Sequence, residues 1–484
     1  MKLLKLMDFN KKLLKKKLES CFKKFSKKTL VVDTLNKKIT YSDFFISTLR
    51  LINYLKKKGI KKNSKILILS DNCSNYLILL AACLLGGYVA CPVDPTLKSE
   101  RLDQLKKIYK IDYTIKDVSK LIFNDIVSDT NLIDYKDTDC LIIASSGTTG
   151  SPKGILFSSN SILKSSQSFS ALANYDDKTR ILHCLPMFYM GGILDTFFAC
   201  LFSGSTIVLD KRFSIANVLN FWDFPKKMNC NFLFLTPSII AAICAVYIPK
   251  FEIKKHVEKY KSIFATGSYL YPEIREKFYK IFDKKIFACY GVTELGGPIA
   301  IQSLEDTFLD FCVGTSSSDV KISIKKDQDG AKIVMIKTPF FMKGYLTKEG
   351  IEIPKTLDGY YDTGDIGDYK DGLLFIKGRK RDIIKKGGEL ISLALIENAA
   401  LQNKSVLEAA AIGKKDTLAG EDLYLIITIN GKFSLNEKIQ EVRNFLSKKL
   451  RPIEMPKKII ITSHMPKTSS GKIIKNSLLK LFET

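Results

Sequence analysis

Along most of the chain, short apolar runs alternate with longer stretches whose apolar positions return every three or four residues. "KILILS" (Lys65–Ser70), "DCLIIAS" (Asp139–Ser145), "STIVLD" (Ser205–Asp210) and "CNFLFLTP" (Cys230–Pro237) are of the first kind. "NYLILLAACLLGG" (Asn75–Gly87) and "YPEIREKFYKIF" (Tyr271–Phe282) are of the second. The first kind suits buried strands and the second suits helices packed over them, so the pattern predicts an α/β fold. Between Val320 and Gly378 the texture changes to short strands separated by turns such as "DQDG", "LDGYYD" and "YKDG". That stretch predicts an antiparallel or β-barrel-like portion. Beyond Arg381 a small α+β pattern follows: helix Ser392–Leu401, strand Leu423–Asn430 and helix Asn436–Leu450. The expected organisation is a large N-terminal domain of mixed sheets layered with helices over 1–380, then a small C-terminal domain over 381–484.

Two apolar runs approach the length of a membrane span. Tyr76–Val93 is interrupted by Gly86, Gly87 and Pro92, and Gly191–Leu209 contains Asp195, Ser203 and Gly204. A bilayer needs about 20 clean apolar residues, so each run reads as a buried helix followed by a strand. The first residues lack the unbroken apolar core of a signal peptide, and a cytoplasmic protein is expected. The 11 cysteines are scattered with no C-x-x-C spacing, which suits buried free thiols better than disulfides or zinc. Three histidines cannot by themselves make a histidine-rich metal site.

Charge is uneven. The formal net charge is +26, and residues 1–66 hold 19 Lys and one Arg against four Asp or Glu. Phe9, Leu13, Leu14, Leu18, Phe22 and Phe25 recur at helical spacing among those lysines, which makes a basic amphipathic helix. Such a helix can meet an anionic surface or dock by its apolar face with its lysines in water, and the second is the reading taken. No nucleic-acid partner is expected, and at most peripheral membrane contact.

The strand-like "CLIIAS" (Cys140–Ser145) leads straight into "SSGTTGSPKG" (Ser145–Gly154). Glycines let backbone N–H groups converge on an anion, hydroxyls add donors and Lys153 adds charge, so the loop is a candidate phosphate cradle. It is not the common G-x-x-x-x-G-K-[ST] loop, because Pro152 and Gly154 stand where that pattern needs Gly and Ser or Thr. "YGVTELGG" (Tyr290–Gly297), "YDTGDIG" (Tyr361–Gly367), "GRKRDIIKKGGE" (Gly378–Glu389) and "PKTSSGK" (Pro466–Lys472) follow in order. Together the five resemble the signature set of the adenylate-forming superfamily of acyl-CoA synthetases, aryl-CoA ligases, nonribosomal peptide adenylation domains and firefly luciferase. "ITYSDFF" and "GGYVACPVDPTL" near the N-terminus are similar to that superfamily's landmarks too, so the resemblance spans nearly the whole chain.

The resemblance implies an acid–thiol ligase using ATP and Mg²⁺. A carboxylate attacks the α-phosphorus to give acyl-AMP and pyrophosphate, and a thiol then displaces AMP. Ser145, Ser146, Gly147, Thr148, Thr149, Gly150, Lys153 and Gly154 would hold the β- and γ-phosphates. Thr293 would donate to the α-phosphate, and Glu294 would help hold the metal, as a hard oxygen ligand can. Outside that context "VTE" would read as a helix start with a capping threonine. Asp365 would accept the ribose hydroxyls and Arg379 would reach the ribose and phosphates; alone they would be a turn residue and a solvated strand-end arginine. Gly267, Ser268, Tyr290 and Gly291 would line the adenine side. Lys472, from the small domain, would bridge carboxylate and α-phosphate during adenylation, though by itself it reads as a hairpin lysine. Arg381 stands at the hinge about which the mobile small domain would turn, in place of the superfamily's usual Asp or Lys. Gly387 and Gly388 would then leave room for a pantetheine arm. Leu393 and Leu395 stand where relatives commonly carry Pro and Glu.

"LPMFYMGG" (Leu185–Gly192) matches the segment at the acyl pocket, which Tyr189, Met190, Gly191, Thr236 and Tyr269 would line. Tyr189 occupies a place where amino-acid-activating relatives tend to carry Asp, and a phenol supplies no such charge, so an α-amino acid is disfavoured. Asp195 could receive an amine or be a helix residue facing a polar neighbour; the second is the reading taken. A small-molecule carboxylic acid is the expected substrate and coenzyme A the expected acceptor, with the phosphopantetheine of an acidic acyl carrier protein as the alternative. A polyanion binder with a decayed nucleotide site is the rival of another class, and intact motif positions argue against it.

Overall fold

In the computed structural model the described residues are 14–123, 132–144, 153–246, 251–303, 309–328, 330–386, 389–416, 420–429, 434–467 and 473–478. They build three sheets, of fourteen, seven and five strands. In the largest, Arg180–His183, Thr206–Leu209, Phe232–Leu235 and Ser262–Ala265 run parallel to their neighbours. These strands are almost wholly buried, as their continuous apolar runs require.

At Phe287–Val292 the pairing changes sense. One edge of this strand is parallel to Ser262–Ala265, and the other is antiparallel to Gly297–Ile301. From there the sheet continues antiparallel through Cys312–Ser316, Leu373–Arg379, Tyr360–Lys370, Lys332–Lys337 and Lys321–Lys326. The antiparallel texture expected over Val320–Gly378 is therefore present, and it extends the large sheet. Gly344–Leu346 leaves it to pair with Gly154–Ser158 in the seven-stranded sheet, whose inner strands Lys65–Ile68, Val89–Pro92 and Asp139–Ala144 are parallel. One apolar core fills the space between these two sheets and their helices.

The third sheet comprises Ile383–Lys386, Glu389–Ser392, Val406–Asp416, Gly420–Ile429 and Lys458–Ile461. It packs against helices Leu393–Leu401 and Leu435–Ser447 around a separate core containing Ile396, Leu425 and Val442. The chain passes from one core to the other through the short turn Lys380–Asp382.

The first long apolar run is a buried helix, Ser74–Gly86, closed by Gly87 at φ 77°, and then a strand. The second departs from the expected helix. It forms a π-helical turn Gly191–Asp195 and a 3₁₀ segment Phe198–Phe202 before the strand Thr206–Leu209. The backbone is pressed into place here, since a Cβ on Gly192 would lie 2.3 Å from the Pro186 carbonyl oxygen. Thr196 adds to the distortion by donating its hydroxyl back to the Gly192 carbonyl at 2.9 Å. Among the described residues, no helix is long and apolar enough to cross a membrane.

Near the N-terminus, 14–24 is helical and docks by its apolar face. Leu18 and Phe22 are fully buried, and the Phe22 ring stacks on Phe45 at 4.9 Å. Lys15 is buried as well, and its ammonium donates to the backbone carbonyls of Asp134 and Lys136. Burial outweighs the nearby carboxylates and pulls its pKa down to about 8. Phe9 and Leu13 lie outside the described residues.

Gly314 carries a local constraint that a substitution exposes. Its φ is +89°, and a Cβ there would lie 1.9 Å from the Ile301 carbonyl oxygen of the neighbouring strand. Gly314→Ala is expected to lose about 2–4 kcal/mol of stability, read as a lower urea midpoint. An unchanged midpoint would mean the strand pair relaxes at no cost.

Candidate active site

The segments singled out in the sequence leave the carboxyl ends of adjacent parallel strands. Thr236 follows Phe232–Leu235, Gly267 and Ser268 follow Ser262–Ala265, and Thr293 follows Phe287–Val292. Ligand sites of open α/β sheets form at such ends, where the strand order or sense changes. A cavity of about 790 Å³ opens there, lined by Gly267, Ser268, Tyr269, Tyr290, Gly291, Asp365 and Arg379 among others. Glu397, Lys467, Ile473 and Lys475 of the small domain close its far side.

The centre of the site is a buried carboxyl. Asp365 is 2% exposed and faces Arg379 across the hairpin of Tyr360–Lys370 and Leu373–Arg379. The Arg379 Nε lies 3.0 Å from Asp365 Oδ1, and the Tyr290 hydroxyl donates to Oδ2 at 2.6 Å. Burial and the adjacent carboxylate both push the Tyr290 pKa well above its ordinary value, so the phenol stays neutral. Burial works against the Arg379 charge, but Asp365, together with Tyr290, Asp382 and Glu294, outweighs it and the pKa rises. A carboxylate has about four lone-pair sites, more than these two contacts use.

A second cluster forms around Tyr345, a residue the motifs did not flag. Its hydroxyl donates to Glu294 Oε1 at 3.0 Å and meets the Tyr361 hydroxyl at 3.0 Å. Lys153 Nζ stands 5.1 Å over the Tyr345 ring and 3.1 Å from Glu352 Oε2. Thr293 and Glu294 belong to the 3₁₀ turn Thr293–Leu295. The first loop's lysine thus meets the ring, and the acidic turn the hydroxyl, of one tyrosine. Gly154 begins the strand Gly154–Ser158, where a Cβ would be 2.7 Å from the Tyr109 ring, so close packing alone demands glycine.

Tyr189 is half-buried, with its Oη 2.7 Å from where a Gly267 Cβ would stand, so it closes one wall of the cavity from behind. Met190, Gly191 and Thr236 are buried behind that wall. Tyr269 stacks on Phe311 at 5.6 Å and meets Tyr271 edge-on at 4.9 Å. Asp195, expected to face a polar neighbour, has a buried Oδ1 with no hydrogen-bond partner among the described residues.

On the small-domain side, Glu397 accepts from the Tyr271 hydroxyl at 2.9 Å and from Ala411 N–H at 2.8 Å, and Lys475 lies 2.8 Å away. This junction of the two parts was missed in the sequence. Glu397 could have been found in "ISLALIE", where a lone acidic residue sits in an apolar helix. Ser145, Ser146, Gly147, Thr148, Thr149, Gly150, Gly387, Gly388 and Lys472 lie outside the described residues, as does the Arg381 side chain. The flanks of Lys472 are informative even so: Lys467 and Ile473 form an isolated β-bridge, and both line the cavity.

The sequence pattern of the AMP-binding enzyme family matches residues 18–138 and 128–346, and that of the AMP-binding enzyme C-terminal domain matches 395–472. The chain belongs to the AMP-binding enzymes. Relatives of this AMP-binding enzyme include the 2-succinylbenzoate–CoA ligase of Bacillus subtilis, 25% identical over 472 residues, covering 91% of this chain and 92% of that one. The sulfoacetate–CoA ligase of Cupriavidus necator is 28% identical, covering 71% and 67% respectively. Malonate–CoA ligase of Arabidopsis thaliana is 27% identical, covering 72% and 62%. Among solved structures, the Bacillus subtilis o-succinylbenzoate CoA synthetase with its acyl-adenylate intermediate superimposes with a TM-score of 0.81 at 22% identity, covering 96% of this chain and 97% of that one. An anthranilate CoA ligase bound to anthranoyl-AMP gives 0.84 at 16% identity, covering 96% of each chain. At these identities the structures establish the shared fold, a large sheet-rich N-terminal domain followed by a small C-terminal one.

Removing partners of Asp365 tests how far it depends on them. Arg379→Met is expected to cost about 1.5–3 kcal/mol, reduced by the arginine's partial exposure, and Tyr290→Phe about 1 kcal/mol. Urea unfolding of the single and double variants should give less than additive losses, because both act on one carboxyl. Strict additivity would show that the two contacts are independent.

Proposed function

We propose that this AMP-binding enzyme is an acid–CoA ligase that joins a small-molecule carboxylic acid to coenzyme A in two steps driven by ATP. The observation that carries the reading is the buried Asp365–Tyr290–Arg379 cluster on a cavity walled by both parts of the chain. Asp365 accepts the ribose hydroxyls and Arg379 reaches the ribose and phosphates. Gly267, Ser268, Tyr290 and Gly291 form the adenine side. The Ser145–Gly150 loop and Lys153 hold the β- and γ-phosphates, with Lys153 exchanging Glu352 for the anion.

In the first step a substrate carboxylate oxygen attacks the α-phosphorus, and the bond to the bridging oxygen breaks so that pyrophosphate leaves. Two anions meet here, so fixed donors and cations must be in place before the charge builds. Thr293 and Lys472 serve there. Tyr345 takes Glu294 Oε1 and leaves Oε2 without a hydrogen-bond partner among the described residues, which fits an oxygen ligand for Mg²⁺. The ion would supply charge neutralisation of the phosphates. In the second step the coenzyme A sulfur attacks the acyl carbon and AMP departs.

We place the boundary between 1–380 and 381–484 at the turn holding Arg381, with the small domain turning there to exchange Lys472 for Gly387 and Gly388 beside the pantetheine arm. Names of the relatives favour coenzyme A over a carrier protein as acceptor. Eleven cysteines outside any disulfide suit a cytoplasmic, reducing setting.

Carboxylate-dependent exchange of labelled pyrophosphate into ATP tests the first step. One or more acids from a panel of aliphatic, aromatic, hydroxy and amino acids should support exchange, and Lys472→Ala should slow it about 100- to 1,000-fold. Exchange at the full rate in that variant would remove Lys472 from its role. No exchange with any acid would overturn the reading.

A further inference from the structure

Asp195 ends the π-helical turn Gly191–Asp195 and is 3% exposed. Its main-chain carbonyl accepts from the Tyr175 hydroxyl at 3.0 Å. Its side chain is different: Oδ1 is buried with no hydrogen-bond partner, and no cation pairs with the carboxyl among the described residues. Burial alone acts on its acidity and pushes the pKa well above the usual carboxylate range. A buried polar group left unmatched costs about 1–3 kcal/mol, and such groups in folded proteins call for a reason. Single π-turns within helical segments occur often at functional sites.

The surroundings show what the carboxyl faces. A Cβ on Gly191 would lie 3.2 Å from Asp195 Oδ2 and 2.8 Å from the Tyr189 ring. A Cβ on Gly297 would lie 3.8 Å from Oδ1. Both glycines lead to the cavity. Gly297 O is 2.7 Å from where a Cβ of the wall residue Gly291 would stand, and Tyr189 Oη is equally close to that of Gly267. The carboxyl therefore sits one residue layer behind the cavity wall, with the Tyr189 ring between.

We propose that Asp195 is a specificity-determining residue, and that the acid this enzyme activates carries an aliphatic amino group remote from its reacting carboxylate, which Asp195 receives behind a displaced Tyr189. This rests on the acid-activating reading above. An ammonium is the matching ligand because it supplies the missing donor and the missing countercharge together. A second carboxylate or sulfonate would meet a carboxyl group instead, so the acids named for the malonate and sulfoacetate ligases are disfavoured here. An α-amino group would lie beside the reacting carboxylate, on the near side of Tyr189 and out of reach.

The test is pyrophosphate exchange by the wild-type enzyme with matched pairs: 4-aminobutyrate and butyrate, 5-aminovalerate and valerate, 6-aminohexanoate and hexanoate, with malonate, succinate and alanine alongside. At least one ω-amino acid should exceed its unsubstituted partner in kcat/KM by about tenfold or more. Asp195→Asn should collapse that ratio, chiefly through KM. Preference for an unsubstituted acid or a diacid over every amino acid overturns the proposal while leaving the ligase reading intact. So does an Asp195→Asn enzyme with an unchanged ratio. No exchange with any acid sinks both. Should the variant fail to fold, the wild-type pairs decide alone, backed by the Tm rise each acid gives with a non-hydrolysable ATP analogue.

Discussion

A carboxyl group buried as deeply as Asp365 must be matched, and matching it organises this end of the molecule. Arg379 comes from the adjacent strand at the facing register position, and Tyr290 from a strand that also belongs to the parallel half of the sheet. One side chain therefore ties the antiparallel extension to the α/β core. It does so where four parallel strands release the loops that carry Tyr189, Thr236, Gly267 and Thr293. Had the extension been a free-standing module, its only link to that edge would be chain continuity. Because it is paired into the sheet, the cavity has a fixed wall that presents backbone and carboxyl together.

The opposite wall is held differently. Glu397 belongs to the small domain's own helix and core, and its contact with the large domain is the Tyr271 hydroxyl. Ala411 N–H and Lys475 keep Glu397 satisfied from its own side. Rotation of the small domain would break the hydrogen bond from Tyr271, a second from Ser392 Oγ to the Lys377 carbonyl at 3.5 Å and the contact of Gln402 with Glu273. The Asp365 cluster would lose an ion pair and a phenol together. So one wall is rigid and the other is lightly latched, a division suited to a site whose two chemical steps need different groups at the same place.

The parallel strands, the buried helix Ser74–Gly86 and the small α+β unit were legible because each is a run of one periodicity closed by glycine or a turn. Asp365, Arg379, Tyr290, Gly267 and Ser268 were legible as motif positions, and they line one cavity. Tyr345 and Glu397 were not. Tyr345 lies on a short strand that crosses to the other sheet, and its meeting with Glu294 spans 51 residues, a separation no local pattern records. Gly154 shows the converse: it belongs to a motif, yet packing against Tyr109 and Ile142 explains it in full.

The one long apolar stretch that failed as a regular helix is Gly191–Phe202, and its failure has a physical shape. Composition favours a helix there, but Gly192 is wedged against Pro186 and Thr196 returns its hydroxyl to the preceding turn and to His183. Those contacts stretch the turn and carry Asp195 inward, where a regular helix of this sequence would not need an acid at all. Here local preference and tertiary packing conflict, and a conflict in the segment behind Tyr189 is informative. Sequences break their own rules where a ligand compensates for the breach, and this segment lies just behind the cavity wall.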